Sequence, residues 1–249
     1  MSYWKELLGE FIGTTILVFV GCGSVAVSLL YIPLALWQIA LIWSFGVALA
    51  IYVTKRYSSS HLNPAVTFAM AIAKKCEWKK VPGYFLSQLL GAMTASAVLL
   101  LLIDKDLQLF EVTNAIVRGD TNSYKSAVMF GEFIAPNVSH LTACIAEGLG
   151  TFSLVLMIFT LDSKNTMLKR LNPVFIGLTV GAIIMVVASF TQAGLNPARD
   201  FGPRLVAYWG GWGVASFPEI KWSFLTVYIL SPLLGSFIAT SCSNLLDKR

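Results

Sequence analysis

Three sequence motifs occur twice in this chain, in the same order in each half. The pairs are EFIGT at 10–14 with EGLGT at 147–151, HLNPA at 61–65 with GLNPA at 194–198, and YFLSQLLG at 84–91 with YILSPLLG at 228–235. Each pair is separated by nearly the same number of residues, which indicates an internal repeat. We therefore predict two repeats, at 1–103 and 141–249, joined by an extracellular loop at 104–140.

The chain is too apolar for a soluble fold. It is 56% hydrophobic and 12% charged, with a mean hydropathy of +0.72, whereas soluble domains are roughly a quarter charged. A membrane-spanning helix needs about 20 apolar residues, and six such helices account for nearly the whole chain. They are predicted at 7–30, 35–54, 81–103, 141–161, 173–190 and 223–246. The composition excludes an ordinary soluble enzyme and predicts one all-α membrane domain over 1–249.

Each repeat holds three predicted spans, so the second repeat has to enter the membrane from the opposite side. Such an inverted repeat places the functional site near the middle of the membrane. Two further apolar stretches, at 65–73 and 198–208, are too short to span and predict re-entrant half-helices. The predicted fold is six transmembrane helices plus two re-entrant half-helices in an inverted repeat.

The net charge of +5 is explained by membrane orientation and does not require a nucleic-acid partner. With both termini in the cytoplasm, 12 of the 18 basic residues lie on that side. They are Lys5, Lys55, Arg56, Lys74, Lys75, Lys79, Lys80, Lys164, Lys169, Arg170, Lys248 and Arg249. The other six are Lys105, Arg118, Lys125, Arg199, Arg204 and Lys221. An excess of basic residues on one side sets orientation, so we predict cytoplasmic N- and C-termini.

Asn63-Pro64 and Asn196-Pro197 precede the two short apolar stretches. Asn is a strong N-cap residue, and Pro is favoured at the first helical position. The inverted symmetry brings both helix starts to the middle of the membrane, where non-helical backbone survives only inside protein or beside a water-filled cavity. The amide groups and the positive helix ends can bind a water or alcohol oxygen and repel cations. The alternative is two ordinary helix starts with no role in a pore.

Arg199 follows Asn196 by three residues, where the first motif has Val66. An unpaired arginine in the membrane is costly and is a functional candidate by default. Its donors suit hydroxyl or water oxygens and its charge repels cations. We predict one selectivity ring near one mouth of a pore; the alternative is an arginine that reaches lipid headgroups.

Glu10 and Glu147 occupy matching positions in the first and fourth predicted helices. They could form a proton relay, which would make the chain a coupled transporter. The structural alternative is that each carboxylate accepts hydrogen bonds from the backbone of a re-entrant loop, whose N–H groups need partners in the membrane. Two loops and two matching carboxylates favour the second interpretation.

The segments 60–67 (SHLNPAVT) and 194–204 (GLNPARDFGPR) resemble the two signature loops of the major intrinsic protein family, which comprises aquaporins and glycerol facilitators. The resemblance covers essentially the whole chain, including the Glu10 and Glu147 motifs. It implies a channel with one pore per protomer of a homotetramer, in the plasma (inner) membrane. It also implies a pore centre formed by the two Asn-Pro-Ala motifs, namely Asn63, Pro64, Ala65, Asn196, Pro197 and Ala198.

Several positions resemble the glycerol-facilitator branch of that family. Asp200 and Arg204 match its pattern, and Trp43 matches a residue of its selectivity filter. Spacing from Asn196 maps the remaining filter positions to Ile184 and Ala193, where the chain departs from both main branches. The implied filter consists of Trp43, Ile184, Ala193 and Arg199.

An apolar side of this ring would face the carbon backbone of a solute, while Arg199 binds its hydroxyl groups. We therefore expect a passive channel for glycerol or similar small uncharged solutes that also passes water and excludes protons and ions. The nearest alternative is a strict water channel, because Ile184 could narrow the ring; a coupled transporter and a membrane enzyme are more distant. No catalytic residue, metal or cofactor is expected, and the expected partners are water, small neutral solutes and membrane lipid.

Overall fold

The structure is a computed structural model that describes residues 2–163, 167–217 and 222–246. Four basic residues of the charge argument lie outside the described residues: Lys164, Lys221, Lys248 and Arg249. The orientation in the membrane is therefore a prediction from sequence.

Six helical segments of the described chain are long and apolar enough to cross a membrane, which confirms the predicted membrane fold. In chain order the helices are α1 (Tyr3–Leu30), α2 (Leu36–Thr54), α3 (Pro64–Ile72), α4 (Val81–Thr113), α5 (Tyr124–Ala127), α6 (His140–Ser163), α7 (Asn172–Thr191), α8 (Pro197–Ala207), α9 (Ser223–Leu225) and α10 (Ser231–Leu246). The π-helical segment Thr226–Leu230 joins α9 to α10. The described ranges contain no β-strand.

The long helices pack mainly in pairs, α1 against α4, α2 against α7 and α6 against α10. Glycine allows their backbones to approach closely. A Cβ atom on Gly177 of α7 would lie 2.3 Å from the carbonyl oxygen of Ser44, and one on Gly235 of α10 would lie 2.1 Å from that of Gly148. Small residues of this kind are typical of helix contacts in membranes, where backbones approach until the carbonyls are in contact.

The surface is apolar, unlike that of a soluble protein, and the largely apolar interior also contains buried polar side chains. Leu101 is 80% exposed and Val186 is 69% exposed. By contrast, Thr14, Gln88 and Ser96 are fully buried. This distribution fits a hydrocarbon solvent, which cannot satisfy polar groups.

The two half-helices α3 and α8 begin at the predicted Asn-Pro pairs. The side-chain oxygen of Asn63 accepts a hydrogen bond from the N–H of Ala65 at 2.8 Å, and that of Asn196 accepts one from the N–H of Ala198 at 3.1 Å. Each asparagine therefore caps its helix, and proline follows at the first helical position. The capping follows from the local sequence.

The predicted loop boundary at 104 is wrong, because α4 continues to Thr113. The extension is an amphipathic helix that buries Leu107 and Glu111 and carries charged side chains beyond the apolar span. Arg118 stabilises it from the following segment: its Nε donates to Glu111 at 2.8 Å and its Nη2 donates to Asp104 at 3.3 Å. A fall in hydropathy indicates the end of an apolar span, but a helix can continue beyond that span, as α4 does here. We call the end of the bundle that carries residues 114–139 the loop end.

Candidate functional site

The N-terminal ends of α3 and α8 meet inside the bundle through their capping asparagines. Asn63 Nδ2 donates to the carbonyl oxygen of Leu195 at 3.0 Å, and Asn196 Nδ2 donates to that of Leu62 at 2.7 Å. Each asparagine thus caps its own half-helix with its oxygen and ties the opposite loop with its nitrogen. The two positive helix ends are held together in the interior by this reciprocal pair.

Glu10 satisfies the backbone of the loop that leads into α3. Its carboxylate accepts hydrogen bonds from the N–H groups of His61 at 3.0 Å and Leu62 at 2.7 Å. The same carboxylate accepts a bond from Gln88 Nε2 at 2.8 Å. Gln88 also donates to Thr67 Oγ1 at 2.9 Å, so it links α1, α3 and α4.

Glu147 plays the equivalent part for the loop that leads into α8. Its carboxylate accepts hydrogen bonds from the N–H groups of Gly194 at 2.8 Å and Leu195 at 2.7 Å, and from Thr191 Oγ1 at 2.6 Å. Glu10 and Glu147 are both fully buried. The contacts of both carboxylates are those of loop supports.

A cavity of about 150 Å³ runs past the junction of the two half-helices. Its lining includes all four residues predicted for the filter and both capping asparagines: Trp43, Ile184, Ala193, Arg199, Asn63 and Asn196. The motif residues that do not line it are Pro64, Ala65, Pro197 and Ala198, which are buried in the first turns of the half-helices. Most of the remaining lining is aliphatic, from residues such as Leu17, Val66 and Val180.

The predicted filter residues line this cavity together and are almost fully buried. Trp43, Ile184, Ala193 and Arg199 are each only 5 or 6% exposed. The guanidinium of Arg199 lies over the indole ring of Trp43, 4.5 Å from its centroid. Three apolar side chains and one cationic donor therefore share this part of the cavity lining.

Glu132 contacts this group of residues and was not predicted from the sequence. Its carboxylate forms an ion pair with Arg199 Nη2, and the residue is only 3% exposed. Burial raises the pKa of the Glu132 carboxyl, while the charge of Arg199 opposes that rise. The available sequence signal was a lone carboxylate in the apolar run MFGEFIA at 129–135.

Asp200 and Arg204 lie beside the cavity and do not line it. They form a fully buried bidentate pair, with Arg204 Nε and Nη2 each 2.8 Å from the Asp200 carboxylate. Asp200 also accepts the N–H of Glu132 at 2.9 Å, and Arg204 donates to the carbonyl oxygens of Glu132 and of Ser216, the latter at 2.7 Å. The pair therefore anchors two loop-end segments against α8.

His61 lines the cavity on the side of the asparagines away from the loop end. Its Nδ1 lies 3.2 Å from Thr67 Oγ1, and its ring packs against Tyr84. The imidazole offers a polar contact to the cavity.

A second, wider cavity of about 1200 Å³ lies at the loop end. It is lined by aromatic and aliphatic side chains together with Gln192, which accepts the N–H of Phe133 at 2.6 Å through Oε1. Gln192 and Ala193 both have positive φ angles, 64° and 65°. This irregular backbone links the C-terminal end of α7 to the loop before α8. It places the polar side chain of Gln192 in the otherwise mainly apolar lining of the cavity.

Comparison with known proteins gives consistent matches along the chain. The profile of the family described as "Major intrinsic protein" matches residues 1–242. The glycerol uptake facilitator protein of Pseudomonas aeruginosa is 35% identical over 254 residues, which cover 100% of this chain and 90% of that protein. Aquaglyceroporin-2 of Rhizophagus irregularis is 38% identical over 240 residues, which cover 95% of this chain and 75% of that protein.

A solved structure has the same architecture. The X-ray structure of the aquaglyceroporin from Plasmodium falciparum superimposes with a TM-score of 0.84 and 27% sequence identity. The match covers 100% of both chains. The aligned residues therefore include both half-helices.

Proposed function

Because the chain belongs to the major intrinsic protein family, we propose that it is a passive transmembrane channel for glycerol and similar small uncharged solutes. The channel also conducts water and excludes ions and protons. Relatives named for glycerol uptake cover nearly the whole chain, and the similar solved structure is an aquaglyceroporin. These matches agree with the family resemblance seen in the sequence and with its predicted glycerol-facilitator branch.

The observation that carries the proposal is the mixed apolar and cationic lining of the cavity at the predicted filter. Trp43, Ile184 and Ala193 offer carbon surfaces, and Arg199, which lies against the Trp43 ring, offers N–H donors. A polyol has a carbon chain on one side and hydroxyl groups on the other. On entering the cavity it can therefore replace its contacts with water by contacts with the carbon surfaces and with the Arg199 donors. A ring of this composition favours polyols over water alone.

The roles of the individual site residues belong to this proposal. Asn63 and Asn196 donate to the solute at the pore centre, and the half-helix ends supply the field that repels cations. Glu10 and Glu147 support the loops, which is consistent with the backbone N–H groups that each carboxylate accepts. Asp200 and Arg204 mark the glycerol branch and anchor the segments at the loop end.

The competing functions lack comparable support. A coupled transporter would need a carboxylate free to exchange protons, yet both intramembrane candidates accept several hydrogen bonds from loop backbone. A strict water channel is less consistent with the relatives named for glycerol and with an apolar residue at position 184. Proteins of this family are channels, so an enzymatic role has no support from the comparison.

Assembly and location complete the proposal. The protein is an integral multi-pass membrane protein, and we place it in the plasma (inner) membrane with cytoplasmic termini. Membrane lipid covers much of the apolar outer surface. We further propose a homotetramer with one pore per protomer, in which part of that surface is buried between protomers.

Stopped-flow light scattering on proteoliposomes tests the function. Vesicles are first shrunk in an impermeant osmolyte to give the water permeability and then in glycerol, where re-swelling gives the glycerol permeability. We expect both to exceed those of empty liposomes, with no dependence of glycerol entry on a proton or sodium gradient. Fast water flux without glycerol entry would instead establish a strict water channel.

A further inference from the structure

The cavity at the loop end is much larger than the cavity between the half-helices. Its volume is about 1200 Å³, against about 150 Å³ for the cavity that the predicted filter residues line. Pockets for drug-sized ligands typically have volumes of about 300–1,000 Å³. The loop-end cavity therefore has room for a molecule much larger than the small solutes of the proposed channel.

The described residues that line the loop-end cavity are uncharged, and many of them are aromatic. The aromatic ones are Tyr124, Phe133, Phe217, Trp222 and Phe224. Two pairs of these rings are in contact, Tyr124 with Phe133 at 5.7 Å and Phe217 with Phe224 at 5.0 Å between centroids. A charged ligand would lose hydration here without meeting an opposite charge in the described lining, so this wall favours uncharged ligands.

Two of the rings are held in place by a buried cation that does not line the cavity. The guanidinium of Arg204 lies 5.1 Å from the ring centroid of Phe133 and 5.9 Å from that of Phe217. Arg204 is itself fixed by its bidentate pair with Asp200. Side chains that are ordered before binding lose little conformational entropy when a ligand contacts them. This part of the cavity wall is therefore preformed.

Gln192 supplies a fixed polar group in the aromatic lining. Its Oε1 accepts the N–H of Phe133 at 2.6 Å, which orients the amide and leaves Nε2 as a donor for a ligand. Thr121 and Tyr124 add hydroxyl groups. An apolar wall with a few placed polar groups is typical of sites for organic ligands. Gln192 also directly precedes Ala193, which lines the smaller cavity, so a ligand on Gln192 lies beside the predicted filter.

We propose that the loop-end cavity binds uncharged molecules that combine an aromatic ring with hydroxyl groups and are too large for the smaller cavity. The ring of such a ligand packs against the aromatic side chains, and its hydroxyl groups bond to Gln192 and the neighbouring hydroxyl side chains. A bound molecule obstructs the path of small solutes toward Ala193. The binding is independent of which solute the channel conducts, whereas its effect on glycerol flux rests on the proposed function.

Phenyl β-D-glucoside is the probe, because it is uncharged and water-soluble and carries both chemical groups. Isothermal titration calorimetry on the protein in lipid nanodiscs measures its binding without alkyl-glycoside detergents, which share the sugar group. We expect saturable binding of one molecule per protomer. Methyl β-D-glucoside lacks the aromatic ring and should bind about tenfold more weakly or worse. Equal affinities of the two glucosides, or no saturable binding of the phenyl compound, would overturn the proposal.

Trp222→Ala and Trp209→Ala form a matched pair of variants. Trp222 is 68% exposed and lines the cavity, whereas Trp209 is 67% exposed and does not line it. Both substitutions remove an exposed indole, so neither should prevent folding. We expect Trp222→Ala to weaken binding about fivefold or more, the scale of one lost aromatic contact, and Trp209→Ala to leave it unchanged. An unchanged affinity in Trp222→Ala, or an equal loss in both variants, would exclude this cavity as the site.

Glycerol re-swelling of proteoliposomes separates the binding site from the proposed function. Phenyl β-D-glucoside should slow glycerol entry over the concentration range of its calorimetric binding, compared with methyl β-D-glucoside at the same osmolarity. Unslowed entry at saturating probe would contradict the obstruction. Absent glycerol entry in wild-type vesicles without the probe would refute the proposed function and leave the calorimetric result untouched. Normal glycerol entry together with no calorimetric binding would refute the site alone.

Discussion

Asn63 donates a hydrogen bond from Nδ2 to the carbonyl oxygen of Leu195, 3.0 Å away in the other half of the chain. The equivalent bond from Asn196 to Leu62 completes a reciprocal pair. The two half-helices are therefore joined end to end by the side chains that cap them. A substitution at either asparagine should therefore affect both the junction of the half-helices and the permeability to solutes.

Asn63→Asp tests that junction. The carboxylate can still cap α3, but it cannot donate to Leu195 and it places a negative charge beside a carbonyl oxygen. We expect lower water and glycerol permeability and a measurable cation leak, recorded as vesicle depolarisation. Asn114→Asp, at an exposed asparagine that ends α4, is the control and should leave all three unchanged.

Ile184→His tests the apolar side of the filter. Imidazole adds polar groups where Ile184 now offers a carbon surface to the solute. We expect glycerol re-swelling to slow while water flux is retained. Ile184→Val preserves the apolar surface and should keep glycerol entry; equal glycerol rates in the histidine variant and the wild type would exclude this position from the filter.

Gly21→Ala tests the placement of Trp43. A Cβ atom at Gly21 would lie 2.3 Å from atoms of the Trp43 indole ring, so the ring would have to move off its position beside Arg199. Overpacking of this kind costs about 1–3 kcal/mol. We expect a lower melting temperature in detergent and reduced glycerol permeability. Gly23→Ala is the matched control on the same helix, since its Cβ would meet open space, and a similar loss there would refute the explanation.

Glu147→Gln tests the loop support. The amide has one acceptor oxygen in place of two, so one N–H group of Gly194 or Leu195 loses its partner. Each such group costs about 1–3 kcal/mol, and the melting temperature should fall accordingly. Glu77→Gln, at an exposed position, should not change it. A variant of normal stability whose only defect was lost gradient-driven uptake would instead indicate a coupled transporter.

Arg204→Lys tests the anchor of the loop-end segments. Lysine cannot reproduce the bidentate contact with Asp200 together with the bonds to the carbonyl oxygens of Glu132 and Ser216. We expect a loss of about 1–3 kcal/mol for the unsatisfied groups, measured by thermal unfolding. The exposed Arg56→Lys should behave as the wild type; an unchanged unfolding temperature in Arg204→Lys would show that these bonds do not stabilise the loop end.

Much of this architecture follows from local sequence. The six spans follow from hydropathy, because each span must be long and apolar to cross a bilayer. The half-helices follow from Asn-Pro pairs before short apolar runs, because capping is a property of adjacent residues. The internal repeat links distant parts of the chain, and it explains why Glu10 and Glu147 make matching contacts.

Other features depend on contacts between residues far apart in the chain, and only the tertiary structure decided them. The end of α4 at Thr113 is set by burial of Leu107 and Glu111 against later segments, which hydropathy does not report. The pairing of Glu132 with Arg199 arises because α8 anchors the backbone of a loop some distance earlier in the sequence. Hydropathy and the internal repeat show which segments of the sequence are apolar. They do not show which polar side chains contact each other in the interior, because those contacts depend on how the helices and loops pack in three dimensions.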